Sequence, residues 1–106
     1  MAYESKFTSQ AIDELFEAIL TLKNREDCYR FFEDLCTIHE IRSIAQRLEV
    51  AKLLTEKKTY LQIEQATKAS TVTISRINKC LLYGADGYKL VLPRLMDKKA
   101  KDGDPR

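Results

Sequence analysis

The stretch from Lys68 to Tyr83 combines short hydroxyl side chains with basic ones and contains no carboxylate. The hydroxyl groups belong to Ser70, Thr71, Thr73 and Ser75, and the cations to Lys68, Arg76 and Lys79. Short hydroxyl side chains allow close approach and still hydrogen-bond to base edges, while cations neutralise phosphates. This combination favours contact with a polyanion.

Two short helices must position these side chains. Thr59–Gln62 has the pattern of a capping box and predicts a helix ending near Thr67, and Ser70 or Thr71 caps a second helix running to about Tyr83. Two helices joined by about three residues form a helix-turn-helix, predicted here over residues 59–83. The residues expected to pack the two helices together are Ile63, Ala66, Thr67, Ala69, Ile74 and Ile77. In this motif the second helix lies in the major groove of DNA.

Ten residues of this segment are candidate DNA contacts: Thr59, Gln62, Lys68, Ser70, Thr71, Val72, Thr73, Ser75, Arg76 and Lys79. Two positions differ from an average motif. Glu64 stands where a small residue usually faces the second helix, and Lys68 stands where Gly usually makes the turn, which predicts a positive φ. A polar helical hairpin without a ligand is the alternative interpretation.

Helical periodicity also covers the preceding half of the chain. A helix starts at Thr8 or Ser9, Asn24 caps a second, and Thr37–Glu40 is a capping-box pattern that opens a long third helix over about residues 38–56. The first two helices are rich in aromatic and aliphatic side chains, which suits either a shared dimer core or an ordinary monomeric one. The scarcity of turn residues, with 3 Gly and 2 Pro, argues for an all-α fold.

The end of the chain is less regular. Gly84 predicts a left-handed helix stop, and Asp86–Gly87 predicts a turn. The apolar stretch Tyr88–Met96 forms a last helix or an extended segment, and Pro93 inside a helix would remove one backbone hydrogen bond. We expect a frayed N-terminus over residues 1–7, a single helical domain over 8–97 and a disordered charged tail over 98–106.

Charge is unevenly distributed along the 106 residues. Residues 1–56 hold 7 Lys and Arg against 11 Asp and Glu, a net of −4, whereas residues 57–106 hold 11 against 5, a net of +6. An acidic half joined to a basic half is typical of a chain whose basic half meets a polyanion. A basic solvated tail is the simpler explanation of part of this excess.

Other function classes have little support. Three Cys without a CxxC pair and a single His predict no metal site, and no arrangement of carboxylates with His or Lys suggests an enzyme. No Gly-rich phosphate loop is present, so we expect no cofactor. The longest apolar run is too short for a membrane helix, and the odd cysteine count indicates a reducing compartment, the cytoplasm.

The chain resembles the Trp repressor superfamily and, within it, the YerC/YecD-like branch of Trp-repressor-like proteins. The resemblance covers about residues 8–97 and is most specific at Leu35–Glu40, at Gln46–Leu48 and at Thr71–Arg76. It implies a Trp-repressor-like helical bundle that forms an intertwined homodimer, and a transcription regulator whose partner is double-stranded DNA. The alternative is a helical, dimeric protein-interaction module, for example one that binds RNA polymerase.

The resemblance also implies a possible small-molecule effector. Arg47, Arg76 and Thr37 match residues that surround tryptophan in the Trp repressor. Ile77, however, stands where the family has Gly, and Cys80 stands where it has Ser. Because Ile77 would fill space that an indole needs, we expect DNA binding without tryptophan. If Ile77 points into the hydrophobic seam instead, the pocket could survive beside it.

Overall fold

The computed structural model describes residues 3–102 and contains six helices and no strand within that range. The helices are α1 (Gln10–Leu20), α2 (Arg25–Leu35), α3 (Ile38–Thr55), α4 (Tyr60–Thr67), α5 (Thr71–Tyr83) and α6 (Gly87–Asp102). The predicted all-α class is therefore confirmed. The described residues form two compact units, divided between residues 39 and 40, and the single domain predicted over residues 8–97 stays a prediction.

Side-chain caps fix the start of α1 and α2. The Ser9 hydroxyl accepts a hydrogen bond from the Ile12 amide at 3.1 Å, and the Asn24 side chain accepts one from the Asp27 amide at 2.8 Å. Each cap satisfies an amide that the first turn of a helix leaves without a partner. Residues 3–9 precede α1 without helix or strand, in agreement with the predicted start at Thr8 or Ser9.

The first unit leaves its apolar side chains accessible. No residue of α1 or α2 is buried. Phe31 and Phe32 are half-buried, and their rings meet edge to face with centroids 5.5 Å apart. Phe16 and Leu20 of α1 remain 55% and 76% exposed. Two amphipathic helices of 11 residues thus present more apolar surface than this unit covers.

The second unit contains the hydrophobic core. Its buried members are Val50, Ala51, Ile63, Ala69, Ile74, Ile77 and Leu92. They come from α3, α4, the turn after α4, α5 and α6, so the core joins every helix of the unit. Val50 and Ala51 are the two buried residues of α3, which places this part of the long helix in the core.

The C-terminal helix is longer than the sequence predicts. Residues 98–102 continue α6 instead of forming a disordered tail, and residues 103–106 lie outside the described range. Lys99 is half-buried and Lys101 pairs with Asp97 at 3.5 Å, one helical turn apart, which favours continuation. Pro93 lies inside the helix, so the Lys89 carbonyl receives no amide hydrogen bond from it.

Gly84 ends α5, but not by the predicted left-handed conformation. Its φ is −86° and its ψ −152°. A Cβ atom there would lie 2.5 Å from the carbonyl oxygen of Cys80, so glycine is required by close backbone approach. The left-handed residue of this connection is Asp86, with φ 64°, directly before α6 begins.

Candidate nucleic-acid interface

The first helix of the predicted motif, α4, is held by a complete capping box. The Gln62 amide donates to the Thr59 hydroxyl at 3.1 Å, and the Thr59 amide donates to the Gln62 side-chain oxygen at 2.9 Å. Both side chains are exposed candidate contacts, but the Thr59 hydroxyl and the Gln62 carbonyl oxygen already serve to start the helix. The Gln62 amide group keeps two further donors.

A three-residue turn, residues 68–70, joins α4 to α5. Lys68 has φ 65°, the predicted positive value, and its amide donates to the Glu64 carbonyl at 2.9 Å. The Thr67 hydroxyl donates to the Ile63 carbonyl at 2.8 Å and accepts from the Ala69 amide at 3.1 Å. One hydroxyl therefore ties the end of α4 to the turn. Both Glu64 and Lys68 are exposed.

Ser70 caps α5. Its hydroxyl accepts from the Thr73 amide at 3.2 Å and donates to the Thr73 hydroxyl at 3.1 Å. Four hydroxyl residues lie at the start of α5: Ser70, Thr71, Thr73 and Ser75. Thr73 is half-buried and is the least accessible of them. Thr71 and Ser75 are exposed.

The packing predicted between the two helices is largely confirmed. Ile63, Ala69, Ile74 and Ile77 are buried, and Thr67 is half-buried. The prediction for Ala66 is wrong, because this residue is exposed. Although Ala66 lies three residues from the buried Ile63, and so near it on the surface of α4, it remains accessible to solvent.

A side chain from α3 also holds the motif. The Gln46 amide group donates to the Thr67 carbonyl at 3.0 Å, across 21 residues of sequence. The carbonyl groups in the last turn of a helix lack partners within the helix, so this bond satisfies one of them and fixes α4 relative to α3. The sequence gives no signal for this role, because no local pattern indicates which distant carbonyl a glutamine reaches.

The outer side of α5 bears a concave surface, which we name the α5 groove. Its volume is about 550 Å³, and it is lined by Tyr60, Thr71, Val72, Ser75, Arg76 and Lys79. Five of these six residues are predicted contacts. Tyr60, the first residue of α4, is not, because its position in a capping-box pattern carries no signal about the facing helix. No carboxylate lines the groove, so Arg76 and Lys79 dominate its charge.

The predicted effector residues have different environments. Ile77 is 4% exposed and belongs to the core cluster with Val50 and Ile74. Its side chain therefore points into the hydrophobic seam, the second of the two placements considered from the sequence. Arg76 and Cys80 on α5 and Arg47 on α3 are exposed. Thr37 is exposed and lies in the first unit.

Tyr88 of α6 lies close to two of those residues. Burial raises the pKa of the Tyr88 phenol above its usual value of 10, the Cys80 thiol raises it further, and the Arg47 guanidinium lowers it. Tyr88 is half-buried and packs against the core. With Leu48, Cys80 and Val91 it lines an open cavity of about 390 Å³. No pattern in the sequence connects this tyrosine with the effector residues.

The described residues offer neither a metal centre nor a membrane span. Within residues 3–102, no cluster of three or more His, Cys, Asp or Glu side chains is arranged to hold a metal ion. In the same range no helix is both long enough and apolar enough to cross a bilayer.

Two helices at a three-residue turn, with hydroxyl groups and cations exposed on the second, define a helix-turn-helix protein. The model of the Trp repressor protein family matches residues 10–96. The chain belongs to the Trp repressor family, a family of DNA-binding regulators, as the resemblance at Leu35–Glu40 and Thr71–Arg76 implies.

Relatives from three bacteria resemble most of the chain. The uncharacterized protein YerC of Bacillus subtilis strain 168 is 53% identical over 96 residues, which cover 91% of this chain and 92% of YerC. The crystal structure of a TrpR-like protein from Eubacterium eligens is 57% identical, with a TM-score of 0.80 over 82% of this chain and 90% of the other. A candidate Trp repressor from Staphylococcus aureus is 55% identical, with a TM-score of 0.80 over 83% and 88%.

Proposed function

We propose that this protein is a sequence-specific DNA-binding transcription regulator that works as a homodimer, with α5 in the major groove. The observation that carries the proposal is the α5 groove, where hydroxyl groups and two cations are exposed and no carboxylate is present. The N-terminal residues of the second helix in this motif face base edges. Such a regulator acts where a bacterial chromosome lies, in the cytoplasm.

The candidate contacts divide by chemistry. Thr71 and Ser75 have exposed hydroxyl groups that suit base edges. Arg76, Lys79 and Lys68 have exposed cations that suit phosphates, whose contacts set position and not sequence. Thr59, Gln62, Ser70 and Thr73 take part in the caps of the two helices and so hold the contacts in place, while amides at a helix start can bind phosphate. The tenth candidate, Val72, has an exposed apolar side chain.

Salt dependence and single substitutions test the proposal. Genomic fragments are selected with the protein at physiological salt, and affinity for the selected duplex is then measured against salt concentration. We expect a steep loss of affinity as salt rises, because each phosphate contact releases counterions. Lys79→Ala should weaken specific and random DNA alike and reduce the salt slope by about one for each phosphate that is no longer neutralised.

Ser75→Ala should instead relax sequence preference, since a good base contact contributes about 1–3 kcal/mol of discrimination. Thr73→Ala is expected to lower stability as well, because its hydroxyl contacts Ser70. Lys89→Ala, on α6 and paired with Asp86, is the matched control for charge removal. If DNA affinity does not change with salt concentration and no genomic fragment is selected, the result would favour the alternative, a protein-interaction module such as one that binds RNA polymerase.

We further propose that DNA binding does not require tryptophan. Although Ile77 lies in the core and not across the predicted pocket, its branched side chain, where the family has Gly, packs α5 against the core without a ligand. The side chain of Tyr88 lies next to Cys80 and Arg47, two of the predicted effector residues. The protein's own side chain therefore stands where the sequence predicts an effector. Calorimetry with tryptophan and other indoles tests this: saturable binding at micromolar concentration together with a rise in DNA affinity would contradict it.

A further inference from the structure

The α5 groove contains an apolar part as well as its polar rim. Val72, the second residue of α5, is 67% exposed, and Tyr60, the first residue of α4, is 39% exposed. Both line the same concave surface, although they come from different helices. An exposed valine beside an aromatic ring offers apolar area that a partner can cover.

The surroundings of this apolar part specify the kind of partner. Arg76 and Lys79 line the groove together with the hydroxyl groups of Thr71 and Ser75, and none of its lining residues is acidic. A partner that matches this surface therefore carries negative charge near an apolar group. B-form DNA meets this description in its major groove, because thymine alone among the four bases presents a methyl group there. The major groove of duplex RNA is too narrow for a helix.

We propose that Tyr60 and Val72 together bind the 5-methyl group of a thymine, and so select T·A over the other base pairs at one position of each half-site. This inference rests on the proposed DNA binding and names one determinant of its specificity. It adds Tyr60, on the first helix of the motif, to the residues that read sequence.

The local structure suits both residues to this task. Tyr60 follows the Thr59 cap, whose two hydrogen bonds with Gln62 fix the first turn of α4. Val72 lies in the first turn of α5, behind the Ser70 cap, where recognition helices approach base edges. A β-branched side chain has few rotamers, so little conformational entropy is lost when a methyl group packs on it.

Deoxyuridine provides the probe, because it pairs like thymidine and lacks only the methyl group. In the duplex selected by the wild-type protein, each thymine is replaced by uracil, one at a time. We expect affinity to fall about fourfold at one position of each half-site, the effect of leaving one methyl group in water, and to stay unchanged at the other thymines.

Variants locate the contact. Val72→Ala and Tyr60→Ala should bind the thymine and uracil duplexes with equal affinity, whereas Tyr60→Phe keeps the ring and should keep the fourfold preference. Leu82→Ala, a truncation of another exposed apolar side chain on α5, is the matched control and should also keep it. Circular dichroism checks that each variant remains helical.

The outcomes separate this inference from the proposed function. Salt-dependent, specific DNA binding that no uracil substitution weakens would overturn the thymine contact and leave DNA regulation intact. A uracil effect that persists in both Val72→Ala and Tyr60→Ala would assign the methyl contact to other residues and overturn it too. Failure to select any DNA, or preferential capture of duplex RNA, would overturn both proposals.

Discussion

Hydroxyl side chains in the helix-turn-helix have two different uses. Those of Thr59, Ser70 and Thr67 accept or donate hydrogen bonds that start or end helices. Those of Thr71 and Ser75 line the α5 groove. A hydroxyl that caps a helix stabilises it by about 1 kcal/mol, so the first group contributes to any DNA contact mainly through the position of α4 and α5.

Lys68 combines a strained backbone with a surface cation, and substitution can separate the two. Lys68→Gly should raise the free energy of unfolding by up to about 1 kcal/mol. Gly adopts φ 65° without the left-handed penalty of roughly 1–2 kcal/mol that Lys incurs. The greater conformational entropy of Gly in the unfolded chain offsets part of this gain. Affinity for DNA should fall at the same time, since a candidate phosphate contact is removed. Chemical denaturation and a salt titration of DNA binding measure the two effects.

Lys57→Gly is the matched control for Lys68→Gly. Lys57 also has a positive φ, 66°, but lies after α3 and does not line the α5 groove. The gain in stability should be similar and DNA affinity should be unchanged. If DNA affinity fell equally in both variants, Lys68 would have no specific role in binding.

At the scale of elements, α6 completes the packing of α3 with α5. Leu92 of α6 is buried in the core, and Tyr88 packs against that core beside Cys80 of α5 and Arg47 of α3. Pro93 costs the helix a hydrogen bond, yet α6 continues to Asp102. Tertiary packing of one face thus outweighs a local preference, as is usual for helices in proteins.

The environment of Tyr88 predicts a loss of stability at alkaline pH. Because burial favours the neutral phenol, its pKa is higher in the folded than in the unfolded chain. The resulting stabilisation is present in full below pH 10 and is lost as pH rises through the folded-state pKa. Tyr88→Phe should therefore lose less stability above about pH 10 than the wild-type protein, as measured by urea denaturation at each pH.

Tyr83→Phe controls for this measurement, because Tyr83 is 84% exposed. This variant should lose stability above about pH 10 as the wild-type protein does. Parallel curves for Tyr88→Phe and Tyr83→Phe would show that ionisation of Tyr88 is not linked to folding.

At the scale of the whole molecule, the distribution of apolar surface favours association of two chains. The second unit has a core, whereas α1 and α2 of the first unit have no buried residue. Apolar side chains in this part of the chain that remain about half or more exposed are Tyr3, Phe7, Phe16, Leu20, Tyr29, Leu35 and Ile38. Soluble proteins seldom leave such a concentration uncovered, and two-fold association is the commonest way to cover it.

Sedimentation tests this association directly. The wild-type protein should sediment as a dimer at micromolar concentration, and Leu20→Glu should shift it towards monomer, because a buried carboxylate without a partner is costly at an interface. Leu61→Glu, which changes a 62% exposed leucine on α4, should remain dimeric. A monomeric wild-type protein would contradict the intertwined homodimer.

Local chemistry explains why much of the fold was predictable from the sequence. Ser9, Asn24, Thr59 and Ser70 each cap the helix predicted to follow them, because the donor lies only three residues away. The positive φ of Lys68 follows from its place in the turn of a helix-turn-helix. The starts of these helices and the turn between α4 and α5 depend on neighbours in sequence, and these are visible in the amino-acid order.

The remaining features depend on residues that are distant in sequence, and tertiary structure decided them. Gln46 reaches the Thr67 carbonyl, Tyr60 lines a groove with α5, and Tyr88 lies beside Cys80 and Arg47. No periodicity or cap encodes these contacts, since each is set by how helices pack around the shared core. By itself the sequence determined the first five helices, the motif and the family. The packing of the helices decided that the last segment is helical and which side chains face a partner.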